Sequence, residues 1–171
     1  MIDERMHKEL NLQLKHELES AYLYLAMMAW FRNNGWDGMA NWMKAQVQEE
    51  IVHAMKFFDH LAERGAKIEL MPLELKKTSW SGPLEVFKDA YEHEQFITGR
   101  IHTLAKVADE VGDYAAKPML QWFIEEQIEE EASTSKVAED LERAGDNRSV
   151  LMMLDRELGQ RVFTPPADTG E

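Results

Sequence analysis

Glu17, Glu50, Glu94 and Glu130 stand in stretches that otherwise read as apolar helical stripes, and Glu50 opens a Glu-x-x-His unit that closes at His53. Positions three apart on a helix share a face, so that carboxylate and that imidazole can grip one ion together. Each glutamate lies on a different long helical segment and near its middle. In a bundle, such placement gathers the carboxylates and the imidazole at a common height, facing inward. An uncompensated buried carboxylate costs several kcal/mol, and a domain's whole stability is about 5–15 kcal/mol. Lys15, Lys44, Lys56 and Arg100 fall toward other faces and do not neutralise the layer. The pattern therefore requires cations from outside the chain. One Glu-x-x-His alone is a weak signal; its weight comes from the other three carboxylates.

A second acidic concentration follows in Glu125-Glu126-Gln127-Ile128-Glu129-Glu130-Glu131. Five carboxylates in seven residues repel one another on a free helix. With Glu49 they form either a solvated acidic face or a second, more exposed cation site beside the first. His16 and His93 adjoin Glu17 and Glu94 but project about 100° away from them, so they read as ordinary histidines.

Bulk properties narrow the chemistry. The 171 residues contain no Cys, which excludes disulfides, thiolate metal sites and iron–sulfur clusters, and leaves oxygen and nitrogen ligands. A formal charge of -13 disfavours nucleic acid and is compatible with drawing in cations. No apolar run approaches a membrane span, and the opening MIDERMHKEL has no signal-peptide core. The expectation is a cytoplasmic protein with neither membrane nor nucleic-acid partners.

The elements that must position these residues are all helical. No sustained period-2 pattern occurs. A first helix runs from about Asp3 to about Phe31, and a second from about Asp37 to Gly65. A third runs from about Pro83 to Gly112, and a fourth from Asp113 to about Ala144, where Pro118 implies a later start or a kink. A short helix spans about Arg148 to Leu158. Apolar stripes include Leu10, Leu14, Leu18, Ala21, Leu25 and Met28 on the first helix. Glu17, Glu50, Glu94 and Gln127 lie 11 to 14 residues from their helix starts, so antiparallel packing keeps them level. Short links make helices one and two, and three and four, antiparallel neighbours. Between them lie the 18 residues from Gly65 to Gly82. Extended, that stretch reaches about 59 Å, whereas a helix of 28 residues spans about 42 Å. It can restart the third helix parallel to the second. Ile68, Leu70, Leu73, Leu75 and Trp80 are expected to pack it down. One long crossover joining two antiparallel pairs is the ferritin-like arrangement. The domain is read as residues 1–162, with 163–171 as an extended tail.

The segments around Glu49-Glu50-Ile-Val-His53, Tyr91-Glu92-His93-Glu94 and Leu120 to Glu131 resemble those of bacterial and archaeal non-haem ferritins, as does Asn11-x-Gln13-x-x-x-Glu17 with Tyr24. The resemblance covers about residues 5 to 160. It implies that Glu17, Glu50 and His53 hold a first ferroxidase iron. Glu50 would bridge to a second iron held also by Glu94 and Glu130, with Gln127 as a near-site polar residue. It further implies a third iron site from Glu49, Glu126, Glu129 and Glu130, and a nearby Tyr24 tied to electron transfer. Oxidation of Fe(II) by dioxygen or peroxide, storage as ferric mineral and assembly into a 24-subunit cage follow from the same resemblance. Two departures refine it. The place of a second Glu-x-x-His reads Gln127-x-x-Glu130, and Ile51 stands where bacterioferritins carry a haem-ligating Met. Haem is not expected. The rival readings are a di-iron oxidase of a small organic substrate, and a structural bundle whose central glutamates are paired or wet.

Overall fold

The computed structural model describes residues 2–165 and contains five helices and, among the described residues, no strand. The helices are α1 (Glu4–Asn33), α2 (Asp37–Glu63), α3 (Pro83–Val111), α4 (Lys117–Ala144) and α5 (Arg148–Leu158). Local chemistry sets their ends. Asp3 caps α1 by accepting from the backbone N–H of Arg5 at 2.9 Å. Pro83 occupies the first turn of α3, where its missing N–H is harmless, and Gly112 ends that helix in the left-handed region at φ 69°. Pro118 resolves the same way: of the later start and the kink it allows, α4 takes the later start, at Lys117, with the proline in its first turn.

Side-chain pairs set the directions. Arg100 meets Glu9 and Tyr24 meets Glu94, so α1 and α3 are antiparallel. Gln46 meets Glu130 and His53 packs on Phe123, so α2 and α4 are antiparallel. Lys88 meets Glu142 and Thr98 meets Glu131, which makes α3 and α4 antiparallel as well. Helices α1 and α4 therefore run together, as do α2 and α3, and the link between α2 and α3 is the long crossover. The fold is an all-α, ferritin-like four-helix bundle with a short C-terminal helix.

The crossover is held mainly by polar bonds, which differs from the expectation of a greasy strap. Leu70 and Leu73 are exposed, but Ile68 packs on the core, Leu75 is half-buried and Trp80 is buried. Asn11 accepts from the Glu69 N–H at 2.7 Å and donates to the Lys67 carbonyl at 3.2 Å. Glu19 accepts from the Glu74 N–H at 2.9 Å. Trp80 donates to Asp89 at 2.7 Å, and Lys77 reaches Asp89 and Glu85. An irregular chain lying on a bundle exposes backbone polar groups that must find partners, and α1 and α3 supply them.

The core is divided. One apolar cluster gathers Leu10, Leu14, Phe57, Ile101 and Phe123; the other gathers Met27, Phe31, Met43, Phe87 and Leu141. On α1 the stripe follows Tyr24, Met27 and Phe31, while Leu25 is 41% exposed and Met28 only half-buried. Leu25 lies eight residues after Glu17, about 80° off the line that Glu17 defines at 3.6 residues per turn.

Helix α5 folds back onto the start of α2. Asp155 accepts from the Met39 N–H at 2.9 Å, and the backbones of Gly38 and Gly159 touch. A Cβ on Gly38 would sit 1.6 Å from the Asp155 carbonyl oxygen. Gly38→Ala should therefore destabilise the protein by about 1–3 kcal/mol through overpacking, although alanine is favoured over glycine in a helix by about 1 kcal/mol. Thermal unfolding reads the result; an unchanged or higher midpoint would show that α5 does not depend on this close approach.

Candidate metal centre

Between the two apolar clusters lies a dry polar layer. Glu17, Glu50, Glu94, Glu130, His53, Gln127 and Tyr24 are each 4% exposed or less. Each side chain reaches the layer from the middle of its helix, where no backbone donor is free to pair it.

Two groups have ligand geometry. One oxygen each of Glu17 and Glu50 and a ring nitrogen of His53 lie within 4.8 Å of one another, and so do ligand atoms of His53, Glu126 and Glu130. His53 belongs to both. Its Nδ1 lies 3.4 Å from Glu50, and its Nε2 4.0 Å from Glu126. Trp122 and Phe123 pack edge-on against the imidazole and limit its rotation.

Glutamines orient the carboxylates. Gln13 donates to Glu17 at 2.8 Å, and Gln46 donates to Glu50 at 3.1 Å and to Glu130 at 2.7 Å. Gln127 donates to the Glu94 carboxylate at 3.2 Å, and Tyr24 donates its hydroxyl to the same carboxylate. Glu94 thus stands in the layer with both oxygens engaged. One oxygen of Glu17, Oε2, is buried with no hydrogen-bond partner. A buried, unpartnered carboxylate oxygen beside an imidazole is suited to a metal ligand and is costly otherwise.

Electrostatics follow from dryness. Burial, reinforced by the neighbouring Glu50 charge, raises both Glu17 and Glu94 to about 8. Burial, with Glu94 and Glu50 adding to it, also lifts Glu130 well above the carboxylate range. Burial acts against the charged forms of Glu50 and His53 too, but their mutual attraction wins. Glu50 is held below its usual value, and His53 is raised to about 10. The His53–Glu50 pair thus carries charge, while burial favours the protonated forms of Glu17, Glu94 and Glu130. Metal ions have to displace those protons.

The acidic run separates by exposure. Glu126 is half-buried and faces His53, Glu129 is exposed, and Glu131 accepts from Thr98 at 2.6 Å. Glu49 is brought near the layer but pairs with Arg161 and lies outside both ligand groups. Lys15 pairs with Glu19, Lys56 stacks over Trp122, Arg100 pairs with Glu9 and Lys44 is exposed, so the layer draws no charge from them. His16 and His93 face Glu19 and Ser20. The orienting roles of Gln13 and Gln46 were not anticipated. A shared signal exists for them, since each stands four residues before an inward glutamate, one helical turn away. Arg161 offered none, lying 112 residues from Glu49 in the chain.

Comparison with known proteins agrees with this geometry. Residues 7–144 match the ferritin-like domain family. A bacterial non-heme ferritin of Bacteroides fragilis is 36% identical over 161 residues, which is 94% of this chain and all of that protein. One of Staphylococcus aureus is 36% identical over 163 residues, covering 95% of this chain and 98% of the other. An open-pore ferritin of the hyperthermophilic archaeon Archaeoglobus fulgidus superposes with a TM-score of 0.93 at 43% identity, over 95% of this chain and all of that one. A form of the A. fulgidus ferritin engineered to be closed gives a TM-score of 0.93 at 44% identity, over 96% of this chain and all of that one. With the family matched over most of its length, the chain belongs to the ferritins.

Proposed function

We propose that this protein stores iron by oxidising Fe(II) at the buried layer and passing Fe(III) to a mineral enclosed by an oligomeric shell. Family and fold support iron storage. The single observation that carries the oxidation step is the set of four buried glutamates around His53, with a free oxygen on Glu17 and, among the described residues, no lysine or arginine drawn into the set. Iron is the cargo here, taken up and released.

In this reading Glu17, Glu50 and His53 receive one Fe(II), and Glu50 is shared with a second held by Glu94 and Glu130. Carboxylate oxygens suit Fe(III), and the mixed imidazole and carboxylate set accepts Fe(II). Gln13, Gln46 and Gln127 hold the carboxylates in place before iron arrives, so little ordering remains to be done on binding. Tyr24, hydrogen-bonded to Glu94, stands within reach to supply an electron or a proton. Glu126 with Glu130, joined by Glu49 and Glu129, forms the third iron position. The oxidant is dioxygen or peroxide, and the shell is a homo-oligomer of 24 subunits. An oxidase of organic substrates would need a cavity beside the layer, whereas Leu14, Phe57, Phe123 and Met43 fill the adjoining core.

Aerobic loading with Fe(II), followed by size-exclusion chromatography, tests the whole proposal. Iron should co-elute with a large assembly, far beyond three ions per chain. Retention of no iron would overturn it. Glu94→Ala should slow rapid oxidation by about tenfold or more while leaving the assembly's elution unchanged. Oxidation at the wild-type rate would remove Glu94 from the site.

Proton balance gives a further expectation. Glu17, Glu94 and His53 all have folded-state values above their unfolded ones, so the metal-free fold binds more protons than the unfolded chain. Their contribution is fully present below about 4.5 for the glutamates and 6.5 for the histidine. It is lost as pH rises through about 8 and about 10. Metal-free protein should melt at a lower temperature at pH 8.5 than at pH 6, and the stabilisation given by a divalent ion should grow over that interval. A melting temperature that rises with pH in the metal-free protein would contradict the protonated layer.

A further inference from the structure

One side chain ties the layer to the C-terminal segment, and the oxidation chemistry makes no use of it. Arg161 lies just beyond α5. Its guanidinium donates from Nη1 to Gln46 Oε1 at 2.8 Å and from Nη2 to Glu49. It also lies over the Trp42 ring, 4.2 Å from the centroid. The backbone around it is pinned as well, since Asn41 donates to the carbonyls of Gly159 at 3.1 Å and Arg161 at 2.9 Å. Only the planar fork of arginine serves an amide oxygen and a carboxylate at once while stacking on a ring.

The partners of this guanidinium matter. Gln46, which it holds by the oxygen end, donates from the other end to Glu50 and Glu130. Glu49, which it neutralises, is partly buried beside the layer yet stays outside both ligand groups. A tethered cation therefore sits on a carboxylate that a mobile cation would need.

We propose that Arg161 is a built-in competitor for the outer cation position formed by Glu49 with Glu126 and Glu130. It occupies Glu49 while that position is empty and swings away when an ion arrives. Occupancy of the outer position thereby removes the guanidinium's hold on α2 and loosens residues 159–162, whose remaining anchors are the Asn41 bonds. The inference rests on the reading of Glu49 as an iron ligand. Coupling of this kind is reciprocal: what loosens the segment strengthens ion binding, and ion binding loosens the segment.

The test is anaerobic calorimetric titration of the metal-free assembled protein with Zn²⁺, a redox-inert divalent ion. Arg161→Gln should tighten the weakest class of ion by about tenfold, the equivalent of about 1.4 kcal/mol, and leave the tighter classes near wild type. Arg161→Lys, which keeps a charge for Glu49 but loses the fork and the ring stack, should fall between wild type and Arg161→Gln. In a Glu49→Gln background, Arg161→Gln should change nothing. Independently, hydrogen exchange of the amides of residues 159–162 in the wild type should quicken when Zn²⁺ fills the weakest class. This measurement decides the matter even if the Arg161 variants do not fold. An unchanged or weakened outer class in Arg161→Gln overturns the proposal, as does exchange that fails to respond while zinc binds normally; both leave the iron-storage reading standing. A wild type that binds no zinc overturns this inference, and the Fe(II)-loading experiment decides the storage reading separately.

Discussion

Four carboxyl groups and an imidazole share a region from which water is excluded, and the rest of the molecule is arranged around that constraint. Charge in a dry interior is tolerable only when paired, protonated or bound to metal. Without metal, the layer uses the first two devices: His53 and Glu50 form the ion pair, and burial keeps Glu17, Glu94 and Glu130 protonated. The layer is consequently a proton store as well as a ligand set. Exchange of protons for metal ions conserves charge balance, so the bundle need not reorganise to accept them.

The architecture makes the layer possible by splitting the apolar core into two separate clusters. Each cluster is close-packed and anchors all four long helices on its own side of the polar residues. The carboxylates are therefore positioned by packing above and below them instead of by contacts among themselves, which would be repulsive. Antiparallel neighbours bring mid-helix residues to one level, and the polar crossover restores that level for the second pair of helices. Glutamines complete the alignment, since an amide can donate to a carboxylate in either protonation state of its neighbours.

Much of this was legible in the sequence because helical period and short loops are local signals. The order of helices, the long crossover and the inward placing of Glu17, Glu50, Glu94 and Glu130 follow from spacing alone. Leu25 was misread because a stripe counted in steps of three and four drifts from 3.6, and three helical turns of drift suffice to move a residue to the surface. Leu70 and Leu73 were misread because an apolar residue in an irregular segment carries no period to say which way it faces. The expected tail of 163–171 begins with residues 163–165 outside any helix, and 166–171 fall outside the described residues. Arg161 was invisible for a different reason: its partners, Gln46 and Glu49, are brought near only by the return of α5 onto α2, which depends on Gly38.

The asymmetry of the layer bears on what the site is for. On the α2 side, Glu50 and His53 supply oxygen and nitrogen together, whereas on the α4 side Gln127 stands where a second imidazole would complete a symmetric pair. Gln127 turns its amide nitrogen toward Glu94 and Thr98 and donates to the Glu94 carboxylate. On the proposed two-iron reading, the position shared by Glu94 and Glu130 would be rich in hard oxygen donors, which suit Fe(III) better than Fe(II). On that reading, such a position would bind Fe(II) less firmly before oxidation and let its product move toward the half-buried carboxylates of Glu126 and Glu49. Retention is what a catalyst of organic chemistry needs and passage is what storage needs; the proposed storage role therefore fits a layer with one imidazole better than one with two.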